Sequence, residues 1–79
     1  MKAWELIARD GWCQESFGNS LGQRCALGAI FCVYLDTEPI ERARRRLMRA
    51  ADTDNVACWN DAIGRTQSEV IRVMKDADV

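Results

Sequence analysis

Cys25-Ala26-Leu27-Gly28-Ala29-Ile30-Phe31-Cys32-Val33-Tyr34-Leu35 contains no charged side chain, and its reading decides the fold. As a helix it is apolar on every side, the pattern of an element buried from several directions. It then sets Cys25, Gly28, Ala29 and Cys32 at i, i+3, i+4 and i+7, a stripe of small side chains against which another helix can pack at short distance. The alternative is a strand, since Ile30 to Leu35 has high β-propensity and short apolar runs do not separate the two by periodicity alone. Helical signals dominate the rest of the chain, so the stretch is predicted as the central helix of an all-α fold.

Upstream, Trp4, Ile7 and Ala8 share one face of a helix predicted over about Lys2 to Asp10. Gly11 can end it in the left-handed conformation of a C-cap, with Trp12 folding back towards Ile7. Gln14 to Ser20 has turn residues and no period, and reads as a loop. Downstream, Asp36-Thr37-Glu38-Pro39 is a helix start, with a capping residue, acidic charge and a proline in the first turn. Ile40, Ala43, Leu47 and Ala51 form the apolar stripe of that helix. Asp54 caps a short further helix holding Val56, Ala57 and Trp59, and a turn follows from Asn60 to Gly64. Thr66-Gln67-Ser68-Glu69 is a capping box opening a last helix with Val70, Ile71, Met74 and Ala77 on one side. The expectation is one helical domain over residues 1–79, a compact bundle of about five short helices.

Seventy-nine residues leave room for one core and no second domain. The composition, 48% hydrophobic and 29% charged, is that of a globular chain. No apolar run approaches the roughly 20 residues of a membrane span, and the N-terminal segment lacks the apolar centre of a signal peptide. A cytoplasmic protein with reduced thiols is therefore expected, and no membrane partner.

Histidine is absent, which removes the commonest general base and the commonest metal ligand. The glycines match neither a dinucleotide fingerprint nor a phosphate-binding loop. Cys13, Cys25, Cys32 and Cys58 contain no close C-x₂₋₄-C pair, so a zinc site is not expected. Cys25, Cys32 and Cys58 lie in apolar segments and read as core residues, with Cys13 more exposed. Asp52, Asp54 and Asp61 lie close in sequence but read as helix-end residues that bind backbone N–H groups. No catalytic residue, cofactor or small-molecule substrate is expected.

Charge is segregated. Residues 1–41 and 50–79 carry −3 each, while residues 42–49 hold five arginines and no acid, +5. On a helix, Arg42, Arg45, Arg46 and Arg49 form one stripe opposite the apolar face, with Arg44 to one side. Like charges at that spacing repel by a few tenths of a kcal/mol per pair, roughly. One reading is a solvated face relieved by Glu38, Glu41 and Asp52. The other is a partner-binding surface for carboxylates or phosphates, which the planar guanidinium fork bonds in pairs. A pI near 5.3 opposes long-range attraction to a polyanion, so a protein partner of mixed charge fits better than bare nucleic acid.

Gly11-Trp12-Cys13-Gln14, Cys25-Ala26-Leu27-Gly28-Ala29 and above all the motif W-N-D-x-x-G-R-T-x-x-E-V from Trp59 to Val70 resemble a family of small bacterial and phage proteins of unknown function. The resemblance covers nearly the whole chain; family members often have proline where Ile63 stands, a departure confined to a turn. It brings no catalytic residues. Its motif has a structural account, in which Trp59 anchors a turn in the core and Asn60 and Asp61 bind backbone groups. In the same account Arg65 pairs with Asp61, and Thr66 with Glu69 caps the last helix. In size, phage association and lack of enzyme chemistry the chain also resembles phage-encoded anti-CRISPR proteins directed at type I effector complexes. That resemblance implies stoichiometric occlusion, in a bacterial host's cytoplasm, of the surface where the effector admits target DNA. The arginine stripe, or the acidic segments beside it, would make the contact. A small DNA-binding regulator using the arginine helix, an uncharacterised phage protein-interaction module and a cysteine-dependent enzyme or redox sensor are the alternatives.

Overall fold

Ala26–Val33 (α2) lies in the middle of the chain's packing, against Ala3–Asp10 (α1), Thr37–Ala51 (α3) and Val56–Asn60 (α4). Gln67–Asp76 (α5) closes the bundle across α1 and α3. The computed structural model describes residues 1–79 and contains no sheet; Trp12 and Gly18 form only isolated bridges with Arg24. The fold is all-α, a single small domain of five helices, and the stretch read as helix or strand is helical.

The core is shared by all five elements: Leu6 and Ile7 of α1, Ala29 and Ile30 of α2, Ala43 and Leu47 of α3, Trp59 of α4, Val70 and Met74 of α5. Each large apolar side chain so buried contributes about 1.5–3 kcal/mol relative to exposure. Lys2 and Val79 close the structure on itself. The Ala3 N–H donates to the Val79 carbonyl at 2.7 Å, and Lys2 Nζ lies 2.9 Å from Asp78 Oδ1.

That hydrogen bond from Lys2 holds the Asp78 carboxyl below its ordinary value, with Arg46 adding a smaller attraction. A depressed carboxylate stabilises the fold above its unfolded value and loses that contribution as pH falls through its folded value. Asp78 is exposed, so the effect is small. Asp78→Asn is expected to melt slightly below the parent at neutral pH, with the two melting curves converging in acid; a gap independent of pH would show that the ion pair is not its source.

Several local expectations are corrected. The central helix ends at Val33, and its run is not buried all round: Phe31, Cys32 and Leu35 face solvent. Cys58 is exposed as well, so of the three cysteines read as core only Cys25 is buried. The small stripe of α2 accepts no helix at Gly28. A Cβ there would stand 1.9 Å from the Phe17 carbonyl oxygen, so glycine admits the backbone of the 12–25 connection. On α1 the buried face is Ala3, Leu6 and Ile7, and Ala8 is exposed. Gly11 has φ +101° and ψ 166°, an extended glycine conformation, though its N–H still reaches the Ile7 carbonyl at 2.8 Å.

The caps divide similarly. Asp36 precedes α3 without a side-chain cap, and α4 is capped by Asn55, whose side-chain Oδ1 accepts the Cys58 N–H at 3.0 Å, and not by Asp54. Thr66 caps α5 through the Glu69 N–H at 3.2 Å, but the Glu69 carboxylate turns to Arg65. The box is therefore satisfied in one direction only.

Candidate functional site

Helix α3 presents its core side through Ala43 and Leu47 and its arginines to the opposite side. The four residues of the stripe share that side but not one role. Arg46 reaches across to α5, where Nε donates to the Ala77 carbonyl at 3.2 Å and Nη2 to the Asp78 carbonyl at 3.1 Å. A cation on the last carbonyls of a helix satisfies acceptors that the helix cannot. Arg46 is thus part of the fold. Arg42 stands 3.9 Å from Glu38, both exposed, while Arg45 and Arg49 form no ion pair.

Of the acids expected to relieve the stripe, only Glu38 forms an ion pair with one of its four arginines. Glu41 takes a two-pronged bond from Arg44, at 2.7 and 3.2 Å, and Arg44 Nη1 continues to Met48 Sδ at 3.3 Å. The bond from Arg44 holds the Glu41 carboxyl below its ordinary value against a partial burial that opposes it. Asp52 is the left-handed C-cap of α3, with φ 53°, and pairs with no arginine. What remains is an exposed face on which Arg45 and Arg49 form no ion pair and Arg42 only a long one to Glu38, with Asp52, Asp54 and Asp76 among the side chains around Arg49. Arg46→Ala is expected to destabilise the domain by about 1 kcal/mol and Arg45→Ala by nothing measurable in urea unfolding. Equal effects would show that Arg46 is free like its neighbours.

The second concentration of polar side chains is the W-N-D segment. Asn60 is 1% exposed. Its Oδ1 accepts the Trp12 indole N–H at 2.7 Å and the Ala26 N–H at 3.0 Å; its Nδ2 donates to the Cys13 carbonyl at 3.1 Å and to Asp61 Oδ1 at 2.9 Å. Gln14 Nε2 donates to the carbonyls of Asn60 and Ala62, and Asp61 Oδ1 accepts the Glu15 N–H at 2.9 Å. The segment therefore fixes residues 12–15 to α4 and the start of α2. Trp59 is buried, and Arg65 lies over its ring at 4.9 Å while donating to its carbonyl. Arg65 pairs with Glu69 at 2.9 Å, not with Asp61 as the motif suggested.

The cysteines do not assemble. Cys25 is buried at the start of α2, where burial pushes its thiol up from its ordinary value, and its sulfur accepts the Gly28 N–H. Cys13 is half-buried, and Cys32 and Cys58 are exposed. No three Cys, Asp or Glu side chains converge as a metal site.

An aromatic pair that periodicity did not single out lies on the surface. Phe17 and Phe31 meet edge to face at 5.5 Å between centroids, and Phe17 remains 60% exposed. The available signal was an aromatic residue alone among serines and glycines in Glu15-Ser16-Phe17-Gly18-Asn19.

A model of a family of unknown function (DUF6197) matches residues 1–78 of the chain. No curated protein and no solved structure matches it.

Proposed function

Because the chain belongs to that family, which brings no activity with it, we propose a function from the chain's own surface: stoichiometric binding of a macromolecular partner through Arg42, Arg45 and Arg49 of α3. The observation that carries this reading is the division of labour on one helix. Arg44 and Arg46 are consumed by the fold, whereas Arg45 and Arg49 form no ion pair and Arg42 has one at its outer limit. Unpaired guanidinium groups on one rigid face suit carboxylate or phosphate, and cost little to desolvate compared with ammonium groups.

The more specific proposal is that the partner is a type I CRISPR effector complex, inhibited by occlusion of its target-DNA surface without turnover. Its support is the resemblance to anti-CRISPR proteins together with a net charge of −1, which disfavours independent DNA binding. A gel shift of labelled target duplex, with and without the purified effector, tests both levels. The expected result is loss of the effector's shift, no shift of bare duplex, and recovery of the effector's shift with the triple variant Arg42→Glu, Arg45→Glu, Arg49→Glu. Arg46 is left intact because it holds α5. A shift of bare duplex by the protein itself would make the arginine face a nucleic-acid surface; inhibition unaffected by the triple variant would remove that face from the interface.

A further inference from the structure

Phe17, the more exposed member of the aromatic pair, lines a hollow of about 200 Å³ with Glu15, Ser16, Cys25, Ala57 and Asp61, and meets Phe31 edge to face. We propose that this hollow and the Phe17–Phe31 pair form a second docking surface, independent of the arginine face, for a protein segment that inserts one apolar side chain beside a lysine or arginine.

Three observations converge on it. The backbone that carries Phe17 is immobilised from both sides. Its carbonyl accepts the Cys25 N–H at 3.3 Å and sits where a side chain at Gly28 would stand, while Asn60 and Asp61 fix residues 12–15. An exposed aromatic on fixed backbone loses little conformational entropy when a partner covers it, which is the property of interface hot spots. Glu15 is held at φ 68°, in the left-handed region that residues other than glycine rarely adopt, by the bond from its N–H to Asp61. Its carboxylate makes no hydrogen bond or ion pair within the protein, which leaves a free anion at the hollow.

Charge and size then define the occupant. Glu15 and Asp61 line the hollow beside Cys25 and Ala57 with no cation among them, while Arg24 lines the neighbouring groove that Phe17 shares with Phe31. A basic residue next to an apolar one meets both surfaces; an acidic one is repelled. The volume lies below the roughly 300–1,000 Å³ of small-molecule sites, which favours one anchoring side chain over a cofactor.

Selection of a displayed random dodecapeptide library against the intact protein, followed by fluorescence anisotropy of the enriched peptides, provides the test. The expected result is enrichment of apolar residues adjacent to lysine or arginine. Affinity should fall at least about tenfold with Phe17→Ser and with Glu15→Gln, and stay unchanged in the Arg42, Arg45, Arg49 triple variant. Phe31→Ser supplies a second aromatic variant if Phe17→Ser does not keep the parent's melting temperature. No enrichment, enrichment of acidic peptides, or binding insensitive to Phe17 and Phe31 would overturn the proposal. So would concentration-dependent dimerisation, seen by sedimentation and abolished by Phe17→Ser, since the occupant would then be a second copy of the chain. Because the triple variant is scored in the same assay, failure here leaves the arginine-face reading standing, and failure of that face leaves this one.

Discussion

Asn60→Ala is expected to cost about 3–5 kcal/mol, a large share of the roughly 4–12 kcal/mol that a chain of this length possesses. The substitution removes a small side chain, and the lost packing alone would be modest. Its effect comes from what is orphaned. The Trp12 indole N–H and the Ala26 N–H converge on one oxygen, and the Cys13 carbonyl accepts from the amide nitrogen, all at a residue 1% exposed. A buried group left without its partner forfeits about 1–3 kcal/mol, against about 1 kcal/mol for an ordinary bond lost to water. Asp61, the fourth partner, is exposed and turns to solvent without such a penalty. Trp12→Phe removes one spoke while Asn60 keeps the Ala26 N–H, so it should cost far less. Urea unfolding of both variants gives the comparison; a loss below about 1 kcal/mol for Asn60→Ala would mean that water replaces the hub and that the network does not fix the fold.

The same residue shows where the sequence is readable. Helical periodicity located α1, α3 and α5 because one-sided burial imposes it on residues a turn apart, and Thr66 marked a helix start because its cap acts over three residues. Asn60 and Asp61 were expected to bind backbone groups, but their partners, Cys13, Glu15 and Ala26, lie 34 to 47 residues away, where local pattern is silent. Arg46 is the same case: it belongs to the stripe by spacing, and only the arrival of Ala77, 31 residues on, takes it out of the candidate surface. Cys32 and Cys58 were misread because an apolar neighbourhood does not say which side of a short helix meets the core. Arg65 chose Glu69, one turn along α5, because Asp61 already receives the Glu15 and Asn60 N–H groups and Arg65 itself is drawn over the Trp59 ring.

Gly28→Ala separates two opposed effects on one helix, and its sign is the informative part. Intrinsic propensity favours alanine over glycine inside a helix by about 1 kcal/mol. Against it, the new Cβ would lie 1.9 Å from the Phe17 carbonyl oxygen and 2.8 Å from its carbon, both backbone atoms, so neither α2 nor the connection can yield by a simple rotamer change. Overpacking against less rigid neighbours already costs about 1–3 kcal/mol, so a net loss of about 2 kcal/mol is expected, with the connection pushed off α2. The Cys25 N–H would lose the Phe17 carbonyl, and Phe17 would leave Phe31. Near-ultraviolet circular dichroism should register that shift through Trp12, whose indole is tied to the same connection by Asn60. The variant should also lose peptide binding at the aromatic hollow while keeping whatever binding the arginines of α3 support. A gain of about 1 kcal/mol in stability would instead mean that propensity wins and the connection rides loosely over Gly28. In that event Phe17 would not be held on fixed backbone, and the low entropy cost on which the second docking surface depends would be lost with it.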